Sequence, residues 1–126
     1  MGSPKTYGLT HIALGVTDLQ RTKKFYMDVL DMQIMYDTDA FIQLTTPGSN
    51  DIIVFEKSNK KELHLTGGIA HFGFRLKEVT DFDEVLARVI KSGAEIVETG
   101  EFVPGSPYVF FKDPDGYEIE IWYELI

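Results

Sequence analysis

The chain contains no cysteine, so it forms no disulfide and carries no thiolate nucleophile or thiolate metal ligand. It also lacks any apolar run near the eighteen or so residues needed for a membrane helix. Nothing at the start resembles a secretory leader. Cytoplasm is the expected location. Positive charge is scarce: 12 Lys and Arg face 20 Asp and Glu, a formal net charge of −8. That balance excludes a nucleic-acid surface, which needs clustered cations. The pairs Lys23-Lys24 and Lys60-Lys61 read as a solvated helix face and a solvated loop. The deficit is uneven, with 7 basic and 8 acidic side chains in residues 1–62 against 5 and 12 in residues 63–126.

What the chain does have is enough apolar content for one compact domain. Its 126 residues are 44% hydrophobic and 25% charged, ordinary values for a soluble globular protein. Periodicity then divides it into two similar halves. In the first, THIALGV (10–16) alternates as a strand. Thr17 or Asp18 caps a helix over about 19–30, with Leu19, Thr22, Phe25, Tyr26, Val29 and Leu30 at helical spacing. Three strands follow, QIMYDT, FIQLTT and DIIVFE, the last after the turn PGSN. In the second half, GIAHFGFRL (68–76) is a strand. Thr80 or Asp81 caps a helix to Ser92, which buries Phe82, Val85, Leu86, Val89 and Ile90, with Gly93 past its end. Strands EIVETGEF, PYVFFK and, after the turn DPDG, YEIEIW complete it.

Each half therefore reads βαβββ. A four-stranded sheet with one helix leaves a face uncovered, so a duplicated unit is the economical reading. The fold class is α+β, in a single domain over residues 6–124 with modules of about 6–60 and 66–124. Residues 1–5 read as a tag or as disordered.

The repeat matches HIALGV with HFGFRL, making His11 and His71 equivalent residues of equivalent strands. Ile12, Leu14, Phe72 and Phe74 suit the faces under the helices, so both histidines point away from the helix layer. Glu120 lies on the last strand, where Glu118 and Glu120 alternate with Ile119 and Ile121 and share their face with Trp122. A carboxylate on a partly covered face is costly unless paired, and a divalent cation pairs it. His11, His71 and Glu120 together form a facial N, N, O donor set that leaves about half of an octahedral metal's positions open. The donor set admits Fe²⁺, Mn²⁺, Ni²⁺, Co²⁺ or Zn²⁺. His64, in KKELHLTGG, reads as a surface residue of the connector.

The segments THIALGVTDLQRTKKFYMDVLDM, GGIAHFGFRL and FKDPDGYEIEIW resemble the vicinal oxygen chelate superfamily: glyoxalase I, the bleomycin- and fosfomycin-resistance proteins and the extradiol dioxygenases. The likeness covers about residues 6–124. It implies paired βαβββ modules forming a cup-shaped partial β-barrel, and divalent-metal ligands at His11, His71 and Glu120. It implies lyase or isomerase chemistry of the glyoxalase I kind, or ring cleavage.

Departures from the family pattern sort these activities. The fourth ligand of glyoxalase I-like enzymes, a glutamate on the last strand of the first module, falls on Ile53 or, one residue on, Val54. Only a further shift of register reaches Glu56, which otherwise reads as a solvated strand end. Extradiol dioxygenases carry a tyrosine about ten residues before the metal glutamate; Phe110 stands there, and Tyr108, one pleat repeat away, is the substitute. Fosfomycin-resistance enzymes have a threonine two residues after the first histidine, where Ala13 stands, and an arginine beyond the metal glutamate, where no basic residue follows Lys112.

Glu56 is the carboxylate candidate for a proton-abstracting base and Tyr108 a further catalytic candidate, with Tyr36 as another. Either Tyr108 and Phe110 or Val109 and Phe111 line the site, along with Tyr36, Phe41 and Gln43, which suits a flat, partly apolar small molecule. Arg75 either grips a substrate carboxylate or forms a strand-end ion pair. A homodimer with sites at the module interface is expected. The rival expectations are a metal-free sequestering protein of the bleomycin-resistance kind and an interaction module with a relict site.

Overall fold

The computed structural model describes residues 5–58 and 69–125. The chain divides into two compact units, 1–59 and 60–126, and each has the order strand, helix, three strands.

In the first unit, β1 (His11–Val16) leads to α1 (Leu19–Leu30), then β2 (Gln33–Asp37), β3 (Phe41–Thr45) and β4 (Ile52–Lys57). The sheet order is β1-β4-β3-β2, with β1 and β4 parallel and the other pairs antiparallel. Asp18 takes the helix cap, its carboxylate accepting from the Arg21 N–H at 3.1 Å. The apolar stripe of α1 buries Leu19, Thr22, Phe25, Tyr26 and Val29. Tyr26 packs on Phe55 of β4, with ring centroids 4.6 Å apart. The helix therefore covers the sheet face bearing Leu14, Val16, Ile53 and Phe55, all buried.

The second unit repeats the plan. β5 (Phe72–Arg75) is followed by a short 3-10 turn (Val79–Asp81), α2 (Phe82–Lys91), β6 (Ile96–Glu101), β7 (Pro107–Lys112) and β8 (Glu118–Trp122). The order is β5-β8-β7-β6, again with one parallel pair, β5–β8. Phe82 and Val89 of α2 are buried, as are Val109, Phe111, Ile119 and Ile121 of the sheet.

The α+β class and the duplicated unit are thus borne out, each sheet being open rather than closed into a barrel. Three local expectations are corrected. The strand expected over 68–76 pairs only over Phe72–Arg75, so His71 stands immediately before its first residue. The carboxylate of Asp81 makes no cap hydrogen bond; the 3-10 turn ahead of α2 starts that helix instead. Ile90 is 60% exposed, because the buried line of α2 runs through Phe82 and Val89, seven residues apart, and Ile90 lies on its flank. Among the described residues no helix is long and apolar enough to cross a membrane. His64 and the Lys60-Lys61 pair lie outside the described residues, as do Met1–Pro4 of the expected tag.

Candidate functional site

Register decides which side chains share the helix-free face of the second sheet. Residues directly opposite on neighbouring strands point the same way, and successive residues alternate. Glu98 of β6 lies opposite Phe110 of β7, Phe110 opposite Glu120 of β8, and Glu120 opposite Gly73 of β5. The next row is Gly100, Tyr108, Trp122 and Arg75. Of the two pairs the YVFF run offered, Tyr108 and Phe110 therefore take the open face. Val109 and Phe111 go to the core.

On this face His71 Nε2 lies 3.5 Å from Glu120 Oε1. The His71 ring stands against Phe110 at 5.0 Å between centroids and 85° between planes. The Glu120 side chain is only 13% exposed. Burial pushes its carboxyl above the ordinary carboxylate range, and His71 beside it only partly offsets the rise. Desolvation thus outweighs the one polar partner found for it among the described residues. Trp122 closes the other side: a Cβ placed on Gly73 would come within 2.8 Å of the indole Cζ3 and 3.0 Å of the Glu120 carbonyl oxygen. Glycine at 73 is what lets the indole lie across β5. Trp122 shares the glutamates' face because that face is a half-covered aromatic bed.

Tyr108 leans the other way, toward the sheet edge. Its hydroxyl donates to Glu98 Oε2 at 2.8 Å, and its ring stacks on Phe102 at 4.2 Å and 21°. The hydrogen bond to Glu98 pushes the phenol above its ordinary range, with burial and the charge of Glu98 acting in the same direction. Gly100 makes this pose possible, since a Cβ there would sit 3.1 Å from the Tyr108 oxygen. Nothing in the sequence reading singled out Glu98, Gly100 or Phe102. The alternation of Glu98 and Gly100 within an edge strand was the available signal. Arg75 is half-exposed, with Nη1 3.6 Å from Glu124 Oε2.

In the first unit, His11 is exposed at the start of β1, on the helix-free face with Ala13 and Gly15. The pairing of Ala13 with Val54 and of Gly15 with Glu56 fixes the correspondence between modules. Val54 is the counterpart of Glu120, and Glu56 that of Trp122. Glu56 is exposed and shares the His11 face, four residues or about 13 Å further along the sheet. Phe41 is its cross-strand neighbour, and Gln43 and Tyr36 continue the Val54 row.

The residues at hand fit a divalent ion in part. Two ligands bound at about 2.1 Å stand roughly 3.0–3.5 Å apart, which matches the His71–Glu120 separation of 3.5 Å. Among the described residues no group of three or more His, Cys, Asp or Glu is drawn together. Among the described residues, neither unit alone adds a third donor to this pair.

Against this geometry stand the comparisons with known proteins. The family model of the Glyoxalase/Bleomycin resistance protein/Dioxygenase superfamily matches residues 8–121, and the chain belongs to that superfamily. It is 30% identical over 120 residues to catechol-2,3-dioxygenase of Bacillus subtilis, covering 90% of this chain and 41% of that protein. It is 29% identical over 122 residues to lactoylglutathione lyase of Neisseria meningitidis serogroup A, covering 89% and 87%. The chain thus spans about two-fifths of the dioxygenase and most of the lyase. Among solved structures, a glyoxylase/bleomycin resistance protein/dioxygenase domain from Frankia superposes with a TM-score of 0.79 at 25% identity, covering 96% and 100%. A glutamate-to-glutamine mutant of the fosfomycin resistance protein FosX of Listeria monocytogenes shares the fold at a TM-score of 0.76 and 22% identity, covering 93% and 90%. That protein was solved with Mn(II) and a dihydroxypropylphosphonic acid.

Proposed function

We propose that the protein is a divalent-metal-dependent enzyme acting on a small molecule held through two adjacent oxygens. His71 and Glu120 hold the ion, and His11 of a second copy completes the set. The observation that carries this reading is the His71–Glu120 pair, 3.5 Å apart around a carboxylate that burial destabilises as an anion. A cation beside it reverses that cost. Bound there, the ion would supply Lewis acidity toward substrate oxygens.

The chain's own residues do the rest. Phe110 and Trp122 give a flat apolar bed that excludes water around Glu120. Val54 occupies the counterpart of Glu120, so no carboxylate stands in the place of a fourth ligand; Glu56, about 13 Å further along the His11 face, would accept a proton only from the far part of a substrate that spans that distance. Tyr108 borders the bed with a hydroxyl. The protein works in the cytoplasm as a homodimer in which each copy's His11 serves the other's His71 and Glu120, giving two sites.

The test is metal content and mass in solution. About one divalent ion per chain, lost in Glu120→Gln, together with a dimer in analytical ultracentrifugation, is the expected result. Iron in the wild type favours oxygen chemistry on a vicinal diol; nickel, zinc, cobalt or manganese favours the lyase or isomerase type without excluding the other. Protein that holds no ion and takes none up would instead be a sequestering protein of the bleomycin-resistance kind.

A further inference from the structure

The open face of the second sheet ends in a polar arrangement that metal binding leaves unused. Glu98, Phe110 and Glu120 lie in one row across three strands, so Glu98 and Glu120 are about 9–10 Å apart at two strand spacings. Phe110 lies between them. His71 stands steeply against Phe110 on one side, and Tyr108 meets it at 5.6 Å and 69° on the other. A flat ligand seated on Phe110 with one end at Glu120 and His71 has its far end at the Tyr108 hydroxyl.

The direction of the Tyr108 hydrogen bond matters for that far end. A carboxylate can only accept, so the phenol proton is committed to Glu98 Oε2 at 2.8 Å. Toward a ligand the Tyr108 oxygen then offers lone pairs and no proton. The pose is held by Glu98 and by the stack on Phe102 at 4.2 Å, and Gly100 leaves room for it, since a Cβ there would sit 3.1 Å from the phenol oxygen. Turning the hydroxyl round would break the hydrogen bond and leave Glu98 beside the ligand.

We infer that Glu98 is a positioning residue that fixes Tyr108 as a hydrogen-bond acceptor, and so selects ligands carrying a hydroxyl or N–H donor at the end away from the metal pair. An ether oxygen there meets only lone pairs. An anionic group meets those lone pairs and the charge of Glu98 as well. The upward shift of the Tyr108 phenol agrees, because Glu98 binds the protonated form best. This inference rests on the proposed metal reading, since the metal pair is what anchors the ligand's near end.

Calorimetry on Mn(II)-loaded protein under nitrogen tests it. The three probes share a catechol head and differ at the 4-position: 4-hydroxymethylcatechol, 4-methoxymethylcatechol and 3,4-dihydroxybenzoate. Wild type is expected to bind the hydroxymethyl probe about tenfold tighter than its methyl ether, the worth of one hydrogen bond, and to bind the carboxylate weakest. In Glu98→Gln the carboxamide can donate as well as accept, so the ratio of the two neutral probes falls to about twofold. Tyr108→Phe loses the preference likewise. Both sites are near the surface, and unchanged melting temperatures confirm that the variants fold. The same probe ratio in all three proteins would overturn the inference, because a merely structural Glu98 would weaken every probe equally. Failure of all three probes to bind would also overturn it. Mn(II) uptake measured on the same samples separates that failure from a failure of the metal reading itself.

Discussion

Replacing Gly73 by alanine puts a methyl group where the Trp122 indole lies. The new Cβ would stand 2.8 Å from Cζ3 of the ring, 3.0 Å from the Glu120 carbonyl oxygen and 3.3 Å from Glu120 Cβ. Comfortable carbon–carbon contact is about 3.5–4.0 Å. The ring must therefore retreat by roughly 1 Å. The carbonyl belongs to β8, paired with β5, and yields only if that pairing opens. Overpacking of this kind costs about 1–3 kcal/mol. Gly73 has an ordinary φ, so the stiffer unfolded chain returns about 0.4–1 kcal/mol. The net loss is roughly 0–2.6 kcal/mol, or up to about 10 °C in Tm for a chain of this size.

The assay is direct because Trp122 is the only tryptophan. Its emission reports the collision itself, while thermal unfolding reports the cost. Gly73→Ala should shift the emission and lower Tm. In the background of Trp122→Leu the same change should cost little, giving a coupling of about 1 kcal/mol or more between the two positions. A neutral Gly73→Ala with unaltered emission would refute the packing described around Glu120.

Other outcomes follow from the same geometry. Burial raises the Glu120 carboxyl, so the metal-free fold is favoured below the ordinary carboxylate range and loses that advantage as pH rises through the raised value. Glu120→Gln without metal should thus melt higher than wild type at pH 7.5 and equal to it at pH 3.5; added divalent ion should stabilise only the wild type. In ultraviolet titrations compared between the two proteins, the Tyr108 phenol should ionise at lower pH in Glu98→Gln than in wild type, since Glu98 is the leading cause of its upward shift. Asp18→Ala removes the cap that receives the Arg21 N–H and should cost about 1 kcal/mol in chemical denaturation.

Much of the fold was legible because the two periods in the sequence do not conflict. Alternation in THIALGV and YEIEIW, and the 3–4 spacing of Leu19, Thr22, Tyr26 and Val29, each match an observed element. The repeat of βαβββ was legible for the same reason. The ends of elements were not: β5 starts pairing only at Phe72, because strand length depends on where the parallel partner β8 begins and not on the alternation of Ile69 and His71. The placement of Ile90 on an exposed flank also escaped, since a helix face seven residues apart admits an apolar neighbour at its margin.

The candidate site divides the same way. His71 and Glu120 could be put on one face from alternation alone. The choice between Ile53 and Val54 as the counterpart of Glu120 could not, because a single-residue slip in β1–β4 pairing changes which side chain faces out. Glu98 was invisible for a different reason. Its contact with Tyr108 is diagonal, reaching over Gly100, and depends on a side-chain pose that no sequence period encodes.

The most direct measurement is isothermal titration of Mn(II) into wild type, His11→Ala, His71→Ala and Glu120→Gln. The account predicts one ion per chain in wild type and a loss of affinity beyond about 100-fold in each variant, more than is lost when only a ligand's outer partner is changed. Wild-type affinity retained in His11→Ala would contradict the three-residue site. Retention in Glu120→Gln would contradict the metal centre altogether.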